Sequence, residues 1–283
     1  MKNTEKKDED LVKIVQPLVD WYRENKRDLP WRHNPDAYRV WISEIMLQQT
    51  RVEAVKGYYD RFLKALPTVK DLAEAEEDKL LKLWEGLGYY NRVRNMQKAA
   101  QQIMVDHEGI FPDNYEEILQ LKGIGNYTAG AISAFAYGIP KPAVDGNVLR
   151  VISRITGSYE DIMKQSVRRK IENTLEQVIP SDAASDFNQG LIELGAIVCV
   201  PNGEPKCELC PVKEYCIACT ENLTAEIPVK KKAKARKIEE RTILIFKDGK
   251  QIAIRKRPAK GLLAGLYEFP NVEGHLRTEE VIG

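Results

Sequence analysis

Cysteine is missing from the first 198 residues of this 283-residue chain, and all five cysteines fall between Cys199 and Cys219. A disulfide framework spreads its bridges across a small secreted fold. Clustering of this kind excludes that arrangement and points to reduced thiols that bind metal. Long apolar runs are also missing: nothing approaches the roughly 18 residues that span a bilayer. The N-terminus, MKNTEKKDED, has no apolar core behind its lysines, so a standard export signal is not expected. Excess charge of either sign is absent, at a formal net +1. Bulk charge therefore makes no argument for nucleic acid, and any DNA-binding surface must come from local arrangement. Low hydrophobicity with high net charge is absent too, since 43% of residues are hydrophobic, and this excludes disorder as the dominant state.

Period-2 alternation is not found in the first 200 residues, which read as helices. Val52, Val55, Tyr59, Phe62, Leu63 and Leu66 follow the helical period up to Pro67. Leu80, Leu81, Trp84 and Leu87 form a second stripe stopped by Gly88, and Val93, Met96, Ala100 and Ile103 a third stopped near Gly109. Further helices are expected at 115–121, 128–137, 147–156, 165–178 and 184–198, with Pro17 starting or kinking one at 11–25. The pattern then changes. Residues 226–241 carry seven Lys/Arg against three Glu and read as an exposed linker. Beyond it, Thr242–Phe246 and Gln251–Arg255 flank Lys247-Asp248-Gly249-Lys250, the signature of a hairpin.

Three constellations carry chemistry. Cys199-x7-Cys207-x2-Cys210-x5-Cys216 is a compact run of four thiolates, with Cys219 left over. Zinc sites more often pair two C-x2-C knuckles, so the spacing suits a 4Fe–4S cluster, with zinc as the alternative. Leu121-Lys122-Gly123-Ile124-Gly125-Asn126-Tyr127-Thr128 lies between a short helix and a small-residue helix. Such a turn offers backbone N–H groups and a helix N-terminus to a DNA phosphate, or is an ordinary helix–helix turn. Finally, Glu44 sits in the apolar segment WISEIMLQQT, and Asp145 in PAVDGNV just before a helix. Taken singly, Glu44 reads as a solvated helix position and Asp145 as an N-cap. Taken together, two half-buried carboxylates are what N-glycosidic cleavage requires. One of raised pKa donates a proton to the leaving base, and one stays ionised beside the oxocarbenium-like sugar.

SEIMLQQTRV, WEGLGYYNRVRN, GIGNYTAGAI, AVDGNVLRV and the four-cysteine loop occur in that order. Together they closely resemble the MutY-type adenine DNA glycosylases of the helix-hairpin-helix superfamily over roughly residues 15–220. The resemblance implies an all-α catalytic core over 1–225, made of a six-helix barrel module and an iron–sulfur module with DNA between them. It places the hairpin at about 115–137 and the cluster loop at 199–216. The basic linker 226–241 would lead to an incomplete Nudix-like, β-containing domain at 242–283 that reads 8-oxoguanine. Glu44 matches the general acid that protonates adenine, and Asp145 the acid that stabilises the cationic sugar. Tyr127 and Asn147 match residues packed around them. Arg32 and Gln189 match adenine-pocket positions, Gln48 and Gln49 the wedge, and Tyr89 an intercalating aromatic. Gly123 and Gly125 match the hairpin glycines. Cys199, Cys207, Cys210 and Cys216 match the ligands of one 4Fe–4S cluster, leaving Cys219 free.

Adenine opposite 8-oxoguanine or guanine in double-stranded DNA is the implied substrate. A bacterial-type, nucleoid-associated cytoplasmic monomer with no membrane contact is expected. Two departures stand out: x7 where the family has x6 after the first cysteine, and Lys122 where the hairpin often has Pro. A shortened C-terminal domain is expected to discriminate 8-oxoguanine from guanine poorly. An endonuclease III-type glycosylase/lyase would need Lys where Tyr127 stands, and phenol forms no imine. A catalytically inactive iron–sulfur DNA-binding protein would have no reason to keep both Glu44 and Asp145.

Overall fold

The computed structural model describes residues 11–231, 238–258 and 261–282. The chain divides into two units, Met1–Lys231 and Lys232–Gly283. The first is helical. Its elements are α1 (Val15–Asn25), α2 (Ala37–Leu47), α3 (Val52–Ala65), α4 (Val69–Glu74), α5 (Glu77–Leu83), α6 (Asn91–Asp106), α7 (Tyr115–Gln120), α8 (Asn126–Tyr137), α9 (Gly146–Ile155), α10 (Gln165–Glu176), α11 (Ala184–Ile197) and the short α12 (Ile217–Thr220). Pro17 falls in the first turn of α1, where a missing N–H costs nothing. None of the described helices is long and apolar enough to cross a membrane.

Two apolar cores form inside this unit. The first is contiguous in sequence, from Leu29 to Ile132, and is built on α2 to α8. There Phe62 and Trp84, both fully buried, meet edge to face at 6.0 Å. The second joins Leu11, Ile14, Leu18 and Val19 to residues of α9, α10 and α11. The N-terminal segment thus packs where the late helices are. α8 lies between the cores, packed against α2 and α11. Its small residues explain why it fits: Thr128, Ala129, Gly130, Ala131 and Ser133 are all buried. A Cβ at Gly130 would lie 2.0 Å from the Pro142 carbonyl oxygen.

The expected helix 128–137 begins two residues earlier, because Gly125 takes the extended N-cap conformation and α8 starts at Asn126. The segment 226–231, expected to be linker, belongs to the helical unit. Ile227 is buried and its carbonyl accepts from Arg154 Nε at 2.7 Å, while Val229 accepts from the Ile162 N–H at 3.1 Å. Residues 232–237 lie outside the described residues.

The described part of the second unit holds six short strands and a helix: β1 (Arg241–Ile243), β2 (Lys247–Asp248), β3 (Gln251–Ile252), β4 (Arg255–Lys256), β5 (Tyr267–Glu268), β6 (Asn271–Glu273) and α13 (Thr278–Ile282). Antiparallel pairs form as β1·β6, β2·β3 and β4·β5. The sequence run Thr242–Phe246 is therefore not one strand of the hairpin. Its first half pairs with β6, and only the end, through Phe246 accepting from the Ala253 N–H, joins the Asp248-Gly249 hairpin. Gly249 takes a left-handed φ of +55°, as the two-residue turn requires.

Candidate active site

α2 is mostly apolar and is buried from Val40 to Met46, and this is what desolvates Glu44. Glu44 is 6% exposed, which rules out the solvated helix position. Burial pushes its carboxyl up to about 7, against the opposing effect of the Tyr127 hydroxyl, which donates to Oε2 at 2.5 Å. The negative field of Asp145 adds to the rise. Asp145 is an N-cap after all, accepting from the Val148 N–H at 2.8 Å, and Asn147 Nδ2 donates to its other oxygen at 2.7 Å. Burial raises its pKa, and these bonds favour the ionised form and work against the rise. Capping and facing the cleft are thus one geometry: the cap fixes the carboxylate at the start of α9.

Arg32, Glu44, Gln48, Gln49, Tyr127, Asp145, Asn147 and Gln189 all line one cleft of about 630 Å³. Gln189 is held at both ends: its Oε1 accepts from Tyr22 at 2.8 Å and from Arg32 Nε at 3.1 Å, and its Nε2 donates to Ser185 at 3.1 Å. Sequence reasoning missed the group beneath it. Glu193 is fully buried, paired in bidentate fashion with Arg27 at 2.8 Å and with Arg32 at 2.9 Å. Burial alone would raise its pKa, but the two guanidiniums outweigh that and hold it near 2. An acid inside the apolar run GLIELG was the available signal, the same kind that singled out Glu44. Arg168, which lines the cleft and donates to the Val144 carbonyl, left no such signal.

Tyr89, Gly123 and Gly125 are not in this cleft. Tyr89 is 62% exposed with φ +48°, and Gln49 likewise has φ +58°, so each caps a strained turn. Trp41 and Trp84 are core, and Tyr90 is partly buried against it. In the hairpin the two glycines differ. Gly123 needs its left-handed φ of +81°, and a Cβ there would meet Asn95 at 2.8 Å. Gly125 has open space around it. Lys122 donates its N–H to Gln102 at 3.2 Å.

Cys199, Cys207, Cys210 and Cys216 line a single small cavity, and Cys219 lines it with them. The extra residue of the x7 spacing is taken up in a surface turn through Gly203, φ +77°, closed by the Lys206 N–H on the Val198 carbonyl at 3.0 Å. Burial and mutual proximity push the Cys207 thiol up to about 11 and the Cys210 thiol to about 12. Thiols that resist ionising together need a cationic centre to become thiolates. Among the described residues no three His, Cys, Asp or Glu side chains converge on one point as a single-ion site does.

The helical unit that carries this cleft is that of a base-excision DNA repair protein. Residues 42–177 match the family model described as HhH-GPD superfamily base excision DNA repair protein. The chain is 39% identical to the adenine DNA glycosylase of Buchnera aphidicola (Acyrthosiphon pisum), covering 90% of this chain and 73% of that protein. It is 35% identical to the human adenine DNA glycosylase, spanning 56% of its length, and 38% to that of Arabidopsis thaliana, spanning 47%. The chain belongs to the adenine DNA glycosylase family. Among solved structures, a thermostable thymine-DNA glycosylase matches with a TM-score of 0.67 at 30% identity, over 77% of this chain and 99% of that one. Endonuclease III in a non-covalent DNA complex matches in fold, with a TM-score of 0.64 at 22% identity, over 76% and 98%.

Proposed function

We propose that this chain removes adenine from duplex DNA in which it is mispaired with 8-oxoguanine or guanine, by hydrolysing the N-glycosidic bond without cutting the backbone. The observation that carries the reading is the pairing of a buried Glu44 at about 7 with a capped Asp145 on one cleft. Adenine must leave the stack to reach them. Tyr127 engages Oε2 of Glu44, which leaves Oε1 to carry the proton delivered to the departing base. Asp145, whose ionised form accepts from Val148 and Asn147, balances the positive charge that grows on the sugar. Tyr127 occupies the position a lyase lysine would need, so no imine forms and the product is an abasic site.

Gln189, braced by Tyr22, Arg32 and Ser185, has one Nε2 hydrogen left to donate to the flipped base. Gln48, Gln49 and Tyr89 meet the duplex at its mispair, and the Gly123–Gly125 turn takes a phosphate on backbone N–H groups. The four cysteines fit one 4Fe–4S cluster, and Cys219 is the spare thiol. When bound, the cluster cross-links the loop 199–216 and fixes its shape. The second unit is assigned to inspecting 8-oxoguanine, and the working state is a monomer.

Duplexes carrying adenine opposite 8-oxoguanine, adenine opposite guanine, thymine opposite guanine and an oxidised pyrimidine decide the matter. Strand breaks are expected on the two adenine duplexes only, and only after alkali. Breaks without alkali on the pyrimidine duplex would replace this reading with a glycosylase/lyase. Glu44→Gln and Asp145→Asn should each bind DNA yet lose base release by at least about 100-fold. A near wild-type rate in either removes that residue from the chemistry.

A further inference from the structure

The part-buried guanidinium of Arg92 is outside the cleft, yet it touches both turns that the proposed function sets against the duplex. Its Nη1 donates to the carbonyls of Ile45 at 2.8 Å and Gln48 at 2.6 Å, at the end of α2. Its Nη2 donates to the carbonyls of Leu87 at 2.9 Å and Gly88 at 3.2 Å, in the turn that presents Tyr89. The same guanidinium lies 5.6 Å from the Tyr89 ring and 5.4 Å from the buried Trp84 ring. These acceptors are all backbone carbonyls, so the contacts fix main-chain path and not side-chain charge.

The carbonyls at the end of α2 need a partner. The last turn of any helix leaves four without an intrahelical N–H, and α2 ends with Gln48 already out of helical conformation at ψ 113°. A cation at a helix C-terminus also meets the negative end of its dipole. Immediately beyond, Gln49 holds a left-handed φ of +58°, and Tyr89 in the facing turn one of +48°. Non-glycine residues stay in that region only where their surroundings over-determine it. One planar fork bonded to both segments is such a surrounding. Glu44 is the residue before Ile45, so the contact that fixes the Gln48–Gln49 turn also fixes the end of the helix that carries the acid.

We propose that Arg92 is a positioning residue that clamps the Gln48–Thr50 turn to the Leu87–Tyr89 turn, so that the two meet a mispair at one spacing and Glu44 is held in register with them. The inference rests on the proposed function for what the turns touch, while the clamp itself stands on the hydrogen bonds. Lysine cannot replace the fork: an ammonium is a point donor on a flexible stem, whereas the guanidinium spans four carbonyls in a fixed plane.

The test compares the wild-type chain, Arg92→Lys and Arg92→Ala. Lysine keeps the charge, so Arg92→Lys is the informative variant if alanine unfolds the protein. With circular dichroism and iron content unchanged, Arg92→Lys should release adenine about 10- to 100-fold more slowly in single turnover at saturating enzyme. Its affinity for undamaged duplex should change by less than about threefold. Tyr89→Ala and Gln49→Ala should be non-additive in the wild-type background and additive in the Arg92→Lys background, because the two turns then act independently. A residue that only stabilises the fold would lower thermal stability and leave that non-additivity intact. Wild-type rates in Arg92→Lys, or persistent non-additivity, overturn the clamp. Amide hydrogen exchange separates this failure from failure of the enzymatic reading. If the wild-type chain releases no adenine, residues 47–50 and 87–90 must still lose protection together in Arg92→Lys, and protection unchanged in either turn overturns the proposal.

Discussion

Glu44 is held against its own chemistry. In the unfolded chain its carboxyl ionises near 4.5, and in the fold near 7, so folding favours the protonated form. The stability it contributes is complete below about 4.5 and is lost as pH rises through about 7. Glu44→Gln should therefore be more stable than wild type at pH 8, by about 1–3 kcal/mol, with the difference vanishing near pH 4.5. Thermal melts across that range check the sign. Adenine release should fall as pH rises through about 7, because the acid form is the donor. Glu193 behaves in the opposite sense. Its depressed pKa, near 2, makes a contribution present above about 4.5 and lost as pH falls toward 2. Glu193→Gln leaves Arg27 and Arg32 without their carboxylate and should cost about 3–5 kcal/mol, read from denaturant midpoints at pH 7.

At the scale of elements, α8 sets what the site tolerates. Gly130→Ala drives a Cβ to 2.0 Å from the backbone of Pro142, three residues before Asp145. Neither helix nor backbone can yield cheaply, so a loss of about 2 kcal/mol or more is expected, with base release falling further than stability predicts. By contrast Gly125→Ala meets nothing within 4 Å and should fold normally. In the cysteine loop, Cys210→Ser should lower iron content and Cys219→Ser should not, measured on anaerobically purified protein.

Much of this was readable from spacing. The stripes on α3 and α6, Glu44 in its apolar run and the hairpin between α7 and α8 are local patterns. The Arg27–Glu193–Arg32 cluster was not, because its partners are 166 and 161 residues apart and leave no period to read. Arg92 hid for a related reason: its acceptors are carbonyls, which every residue has. The strands of the second unit were blurred because most are two residues long, below the length at which alternation means anything.

On the scale of the molecule, every side chain of the cleft comes from the first unit. A chain ending at Lys231 should fold, with its helical circular dichroism and its cooperative melt retained, and should still release adenine. Ending at 225 instead would delete Ile227 and Val229 from their contacts with Arg154 and Ile162, and a lower melting temperature is expected.

The split of the two cores across the sequence also sets an order of events during synthesis. The Leu29–Ile132 core is one continuous stretch and can close as soon as it leaves the ribosome. The segment Leu11–Val19 was made before it, yet the surface that buries it includes Phe187 and Leu191 of α11. At roughly 5–20 residues per second, those partners arrive about 3 to 12 seconds after Ile132 completes the first core. Through that interval the earliest apolar residues of the chain wait beside an already folded neighbour that offers them no place, exposed to whatever chaperone or hydrophobic surface reaches them first.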